Sequence, residues 1–246
     1  MPRYKLLIEY DGALFCGFQR QINVMTVQQL IEDSLYSITG EKTTTHAAGR
    51  TDAGVHAKGQ VVHVDLLKVL SPEKLLVALN HFMFSKGASV IKVDVTDVFF
   101  HARFQAKKRY YQYKILNRPS PSPLLNKKVW HISSPLNIDA MKKGCSYFLG
   151  QHDFSAFRYA KCQSKNTIKT MEQCALSQSE DGMIHFDLAS KSFLHNQVRI
   201  IVGTLIGVGK NKYPPEYIQE LLSQKDRSRS GITAPPHGLY FMQVDY

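Results

Sequence analysis

IKTMEQCALSQSEDGMIHFDLA, residues 168–189, is the stretch that decides the class of fold. Two β-rich runs, Ile168–Ser177 and Met183–Ala189, flank the dipeptide Asp181-Gly182. That dipeptide closes hairpins, because tight turns of this kind need positive φ. A hairpin forces antiparallel pairing. Upstream, Lys107–Asn117 reads as a further strand, rich in Tyr and Lys. A loop of Pro, Ser and Asn follows it from Arg118 to Asn126, and Asn137–Leu149 has helical character up to Gly150. Downstream, Phe193–Val208 is an apolar run stopped by Gly209, the pattern of a buried helix. A shorter helix over Pro214–Leu222 and a closing strand over Gly238–Val244 complete this half.

The first half has the same mixture. Arg3–Asp11 reads as a strand that runs into the turn pair Asp11-Gly12. Thr26 with Gln29 forms a capping-box pattern, and Val27, Leu30, Ile31, Leu35 and Ile38 recur at helical spacing before Gly40. Thr43–Ala48 and Gln60–Leu66 are β-rich and flank the loop Gly49–Gly59. Ser71-Pro72 opens a second helix with Leu75, Leu76, Leu79 and Phe82 as its apolar stripe. Ile91, Val93 and Val95 alternate with polar residues, as on a half-buried strand. The expectation is an α+β protein of two mixed domains, 1–104 and 105–246, with mainly antiparallel sheets. No internal repeat relates the halves.

Charge narrows the partners. Thirty-one basic residues against 20 acidic ones leave a net charge of +11 across 246 residues. Such an excess draws polyanions by electrostatic steering and counterion release, although a solvated basic surface has the same composition. The four cysteines, Cys16, Cys145, Cys162 and Cys174, show neither Cys-x-x-Cys pairing nor zinc spacing. They read as the reduced thiols of a cytoplasmic protein. Neither a signal segment nor a bilayer-length apolar run stands out, so no membrane association is expected.

The densest polar cluster is Gly49-Arg50-Thr51-Asp52-Ala53-Gly54-Val55-His56-Ala57. Arg, Asp and His fall within seven positions, between glycines that permit unusual backbone. By spacing alone, Asp52 fits either a turn-capping carboxylate or a reactive one. A phosphate-binding glycine loop is excluded, since no Gly-Lys-Ser/Thr ending is present. His56 reads as a hydrogen-bonded loop residue, and no Ser-His-Asp arrangement points to a hydrolase.

GRTDAGVHA at 49–57 resembles the signature of the TruA-like tRNA pseudouridine synthase family. Further segments match that family in order. They are Tyr10-Asp11-Gly12 with Phe15, Gly17, Phe18 and Gln19; Thr26-Val27-Gln28; and Phe100-His101-Ala102-Arg103-Phe104. After these come Arg109-Tyr110-Tyr111-Gln112-Tyr113 and His152-Asp153-Phe154-Ser155-Ala156-Phe157. Phe193-Leu194-His195 with Val198-Arg199 and Val202-Gly203, then Thr233–Tyr240, complete the series. Phe18 stands where the family usually has tryptophan, a change that keeps the aromatic ring.

The resemblance implies a catalytic set of Asp52, Tyr111 and Arg199, with Tyr111, Arg50 and Arg109 touching the substrate. It also implies a homodimer, an active-site cleft between two side-by-side sheets, and uridines 38, 39 and 40 of the tRNA anticodon stem-loop as substrate. The isomerisation breaks N1–C1′ and joins C5 to C1′ with no net oxidation or hydrolysis, so no cofactor and no metal are expected. It does need an ionised carboxylate. Burial would protonate one, and an arginine fork opposes that. Arg199, on an otherwise apolar stretch, also fits a structural ion pair or a side chain that snorkels to solvent. Tyr111 and Tyr113 share one strand face and Tyr110 takes the other. Tyr111 could stack on an extracted base, and Tyr110 and Tyr113 read as core. Lys107, Lys108, Arg109 and Lys114 could hold phosphates or form a solvated face. The alternative function is a non-catalytic RNA-binding protein or chaperone on the same fold.

Overall fold

In the computed structural model, which describes residues 1–160, 162 and 164–246, strand β1 (Arg3–Tyr10) alternates strictly. Tyr4, Leu6, Ile8 and Tyr10 face the core and Arg3, Lys5, Leu7 and Glu9 do not. Helix α1 (Val27–Thr39) follows, capped by Thr26, whose hydroxyl accepts from the Gln29 amide at 3.3 Å. It ends on Gly40 at φ 77°. The β-rich stretch 43–48 contracts to β2 (His46–Ala47), which pairs with β3 (His56–Asp65). β3 begins inside the expected loop because two neighbours extend it. Tyr10 of β1 pairs with Ala57, and Tyr240-Phe241 of the C-terminal strand Leu239–Asp245 run parallel to His56-Ala57.

Helix α2 (Pro72–Met83), capped by Ser71, buries Leu75, Leu79 and Met83, while Leu76 and Phe82 are only half-buried. Strand β4 (Ala88–Thr96) corrects the predicted alternation, since Val90 and Val93 are buried and Ile91 and Val95 are exposed. A register shift opposite Leu7 and Ile8 inserts Ile91 as an extra residue, which flips the phase of the side chains. β1 lies between β3 and β4, antiparallel to both.

This first compact unit comprises Met1–Lys107 together with Tyr240–Tyr246. The C-terminal strand was expected in the second domain. It returns to the first through the β3 pairing, the Lys107 amide on the Asp245 carbonyl (2.8 Å) and the Tyr246 hydroxyl on the Ala102 carbonyl (2.8 Å).

The second unit, Lys108–Leu239, is built on β5 (Lys108–Asn117). The short β6 (Trp130–Ile132) runs parallel to β5, helix α3 (Ile138–Ser146) is capped by Asn137, and β7 (Gly150–Asp153) follows. The hairpin forms as predicted from β8 (Ile168–Gln178) and β9 (Met183–Ser190), with Gly182 at φ 82° in its turn. The order β5-β9-β8-β7 is antiparallel throughout. Helix α4 spans Gln197–Gly209 and α5 Tyr217–Gln224. α4 starts four residues later than its apolar run, because Asn196 adopts the left-handed conformation (φ 62°, ψ 6°) and turns the chain. Both units are α+β with mainly antiparallel strands, as expected. No helix among the described residues is long and apolar enough to cross a membrane.

Candidate active site

Asp52 sits on a four-residue turn closed by the Val55 amide on the Asp52 carbonyl (3.1 Å), with Gly54 at φ 81° in its third position. The preceding Thr51 is buried, Asp52 is half-buried and Arg50 is exposed. The turn is clamped from three sides within the first unit. The Phe18 amide donates to the Thr51 carbonyl at 3.0 Å, and the Thr51 hydroxyl meets the Tyr10 hydroxyl at 2.8 Å. The side-chain Nε2 of buried Gln60 donates to the Gly49 carbonyl at 2.7 Å. Gly17, at φ 90°, lies against the same backbone so closely that a Cβ there would stand 2.9 Å from the Thr51 carbonyl oxygen. The side chain of Asp52 thus projects from a peptide fixed on both sides. Burial pushes the Tyr10 hydroxyl up to about 12, so it stays neutral and serves as a hydrogen-bonding strut.

His56 is buried, and its Nδ1 accepts the Gly12 amide proton at 3.0 Å. Nδ1 also lies 3.1 Å from the Asp11 carboxylate, but a nitrogen that accepts from an amide carries no proton, so this is no charged pair through Nδ1. The ring stacks on Tyr240 at 4.7 Å. His56, expected as a loop residue, instead opens β3 and pairs with Tyr240.

In the second unit, β5 turns Arg109, Tyr111, Tyr113 and Ile115 to its buried face. Tyr111 packs edge-on against Phe193 with centroids 5.1 Å apart. Tyr113 is fully buried, with its hydroxyl donating to the Pro235 carbonyl at 2.7 Å. Tyr110, expected in the core, is half-buried on the opposite face, where the Lys108 ammonium lies 5.9 Å from its ring. Arg109 is 9% exposed and donates through Nη1 to the Lys191 carbonyl, where β9 ends.

Arg199, half-buried on apolar α4, is aimed by two partners. Nε donates to the Ala234 carbonyl at 2.8 Å and Nη1 to the Asn196 carboxamide oxygen at 3.0 Å, while the Ala234 amide donates back to the Arg199 carbonyl at 3.1 Å. The 231–235 segment reaches α4 this closely because residue 203 is glycine. A Cβ there would stand 1.8 Å from the Ile232 carbonyl oxygen. Arg199 and Tyr113 therefore anchor to adjacent carbonyls of one segment. Next along it, His237 is held below the ordinary imidazole range by burial and by the Arg199 charge.

The structure places Asp52 and Arg50 in the first unit and Tyr111, Arg109 and Arg199 in the second. Tyr10, Gln60, Asn196, Ala234 and His237 were missed as supporting groups. Their partners lie three to 41 residues away in sequence, and only Asn196, three residues before Arg199, was within reach of a local motif.

A family model described as tRNA pseudouridine synthase matches residues 6–105 and 145–246. The chain is 48% identical over 245 residues to the tRNA pseudouridine synthase A of Ehrlichia canis (strain Jake), covering 99% of this chain and 100% of that one. It is 46% identical to the enzyme of the same name from Ehrlichia chaffeensis (strain ATCC CRL-10679 / Arkansas) and 45% to that from Anaplasma phagocytophilum (strain HZ). In both cases 99% of this chain and 100% of the relative are covered. The chain belongs to the tRNA pseudouridine synthase family, and it is an enzyme of the isomerase class. Asp52, Arg50 and Arg199 fall inside the stretches matched by the family model, whereas Tyr111 and Arg109 lie outside them.

Proposed function

We propose that this chain converts uridine to pseudouridine at positions 38, 39 and 40 of the tRNA anticodon stem-loop, with Asp52 as the nucleophile. The observation that carries the reading is the Asp52 turn. Its sequence is the family loop, and its backbone is clamped by Tyr10, Phe18 and Gln60 so that the carboxylate is presented without reorganisation. The choice of uridines follows from the family resemblance, and the net charge of +11 favours an RNA substrate.

Asp52 attacks C6 of the base or C1′ of the sugar, and either route requires it ionised. Arg199, pre-aimed by Ala234 and Asn196, is the proposed cationic member of the catalytic set and carries a permanent positive charge. N1–C1′ breaks, the base turns, C5 bonds to C1′, the bond from Asp52 to C6 or C1′ breaks to return the free carboxylate, and the C5 proton leaves while N1 gains one. Tyr111 offers a ring to the extracted base and a hydroxyl for the C5 proton. Arg50, exposed beside Asp52 in sequence, and Arg109, tied to the Lys191 carbonyl, bind the RNA substrate. The working enzyme is a cytoplasmic homodimer.

Tritium release from tRNA labelled at uridine C5 tests the assignment. Wild-type protein should release it, and Asp52→Asn should bind the same tRNA and release none. No release by the wild type would favour a non-catalytic RNA binder instead, and equal release by the two proteins would remove Asp52 from the role of nucleophile.

A further inference from the structure

The segment between β9 and α4 carries aromatic rings in two directions. Phe193 packs on Tyr111, whereas His195, two residues on and exposed, meets Tyr159 edge-to-face with centroids 5.0 Å apart. A backbone bond from the Tyr159 amide to the His195 carbonyl (3.0 Å) ties the two main chains together. Tyr159 is 39% exposed, so this ring pair is not core packing. It adjoins the proposed site in sequence. His195 is adjacent to Asn196, which holds Arg199, and Cα atoms two residues apart lie within about 7 Å. Arg158 precedes the tyrosine in sequence, and Lys191, exposed, begins the same segment. Paired aromatic rings at the surface of a chain with a net charge of +11 are the elements of a platform for unpaired nucleobases.

We infer that Tyr159 and His195 form a stacking subsite for the RNA nucleotide next to the target uridine. A base swung out of its stack leaves its neighbour with one face uncovered, and each face lost is unfavourable. An aromatic pair already in contact replaces the missing partner. Stacking tolerates any base, so the subsite stabilises the opened RNA without reading its sequence.

The inference rests on the proposed reading of this chain as an RNA-uridine isomerase, and its test is separable from that reading. Anticodon stem-loops with 2-aminopurine on the 5′ or the 3′ side of the target uridine are bound to Asp52→Asn protein, so that no turnover intervenes. With the ring pair intact, fluorescence on one side should be quenched on binding. Tyr159→Ala and His195→Ala should leave that 2-aminopurine bright and weaken binding roughly 5- to 100-fold. Tyr159→Phe, which keeps the ring, should restore both the quench and the affinity and so guards against misfolding. Unchanged fluorescence on both sides, with affinities within twofold in the alanine variants, would overturn the subsite. A wild-type enzyme that releases no tritium would overturn the isomerase reading, whatever the fluorescence shows.

Discussion

The Tyr10 hydroxyl lies 2.8 Å from Oγ1 of Thr51, a buried bond that ties the end of the first strand to the residue before Asp52. Because the Tyr10 hydroxyl is held neutral by burial, the contact is an uncharged hydrogen bond between two groups hidden from water. Its removal leaves an unsatisfied hydroxyl and a less constrained turn.

Tyr10→Phe should therefore destabilise the protein by about 1–2 kcal/mol, read as a lower urea midpoint at unchanged slope. Turnover should fall more than KM rises, because tRNA contacts stay and only the aim of the carboxylate is loosened. Thr51→Val should do the same, and the double variant should cost less than the sum of the two. Strict additivity would show that the bond does not position Asp52.

Two glycines separate backbone strain from local collision. Gly17 and Gly40 both have positive φ, 90° and 77°, but a Cβ on Gly40 meets nothing within 4 Å while one on Gly17 meets the Thr51 carbonyl at 2.9 Å. Gly40→Ala should cost about 1–2 kcal/mol of stability and leave turnover intact. Gly17→Ala should cost more, and should also lower kcat in tritium release at temperatures where the protein remains folded. Equal kcat for the two variants would sever Gly17 from the site.

Arg199 provides a test of geometry against charge. Lysine retains the positive charge but cannot donate to Ala234 and Asn196 together from a planar fork. Arg199→Lys should lower kcat on the order of 10²-fold or more, the scale for a lost preorganised donor. Asn196→Ala should lower it less, since Nε keeps its bond to Ala234. If the lysine variant matched wild type, the proposed role would reduce to bulk electrostatics.

How much of this was open to sequence reasoning follows the range of the interactions. Thr26 and Gly40 mark the ends of α1 because capping is local, and Asp181-Gly182 marks the hairpin for the same reason. The phase of β4 was not legible, since the extra residue at Ile91 is defined only against β1. The three-residue β6 carries no periodicity, and β7 opens on Gly150; both are strands only through their partners. The return of the C-terminal strand to the first unit rests on pairing with His56-Ala57, 184 residues earlier in the chain. At the site, the Asp52 turn was visible because its loop is contiguous. The aiming of Arg199 depends on a carbonyl 35 residues distant and was not.

Acid sensitivity should come from a histidine outside the proposed site. His63, 2% exposed, accepts the Ala102 amide on Nδ1 at 3.1 Å and is surrounded by His46 (5.0 Å), His101 (4.7 Å), Arg3 and Asp65. Burial first, then the charges of Arg3, His101 and His46, lower its pKa to about 4, with Asp65 opposing; His101 is lowered as well. A base with a depressed folded pKa binds fewer protons folded than unfolded between the two values. Its stabilising contribution is thus complete above about pH 6.5 and lost as pH falls towards 4, on the order of 3 kcal/mol for His63. His63→Asn keeps an acceptor for the Ala102 amide but cannot titrate. The urea midpoint of the wild type should decline steeply from pH 6.5 to 4, and that of His63→Asn should decline much less over the same range. The Arg3–Asp65 pair, whose carboxylate is held below its usual pKa chiefly by the Arg3 hydrogen bond, should fail only at still lower pH in both proteins. Parallel decline of the two midpoints through this window would locate the acid lability elsewhere.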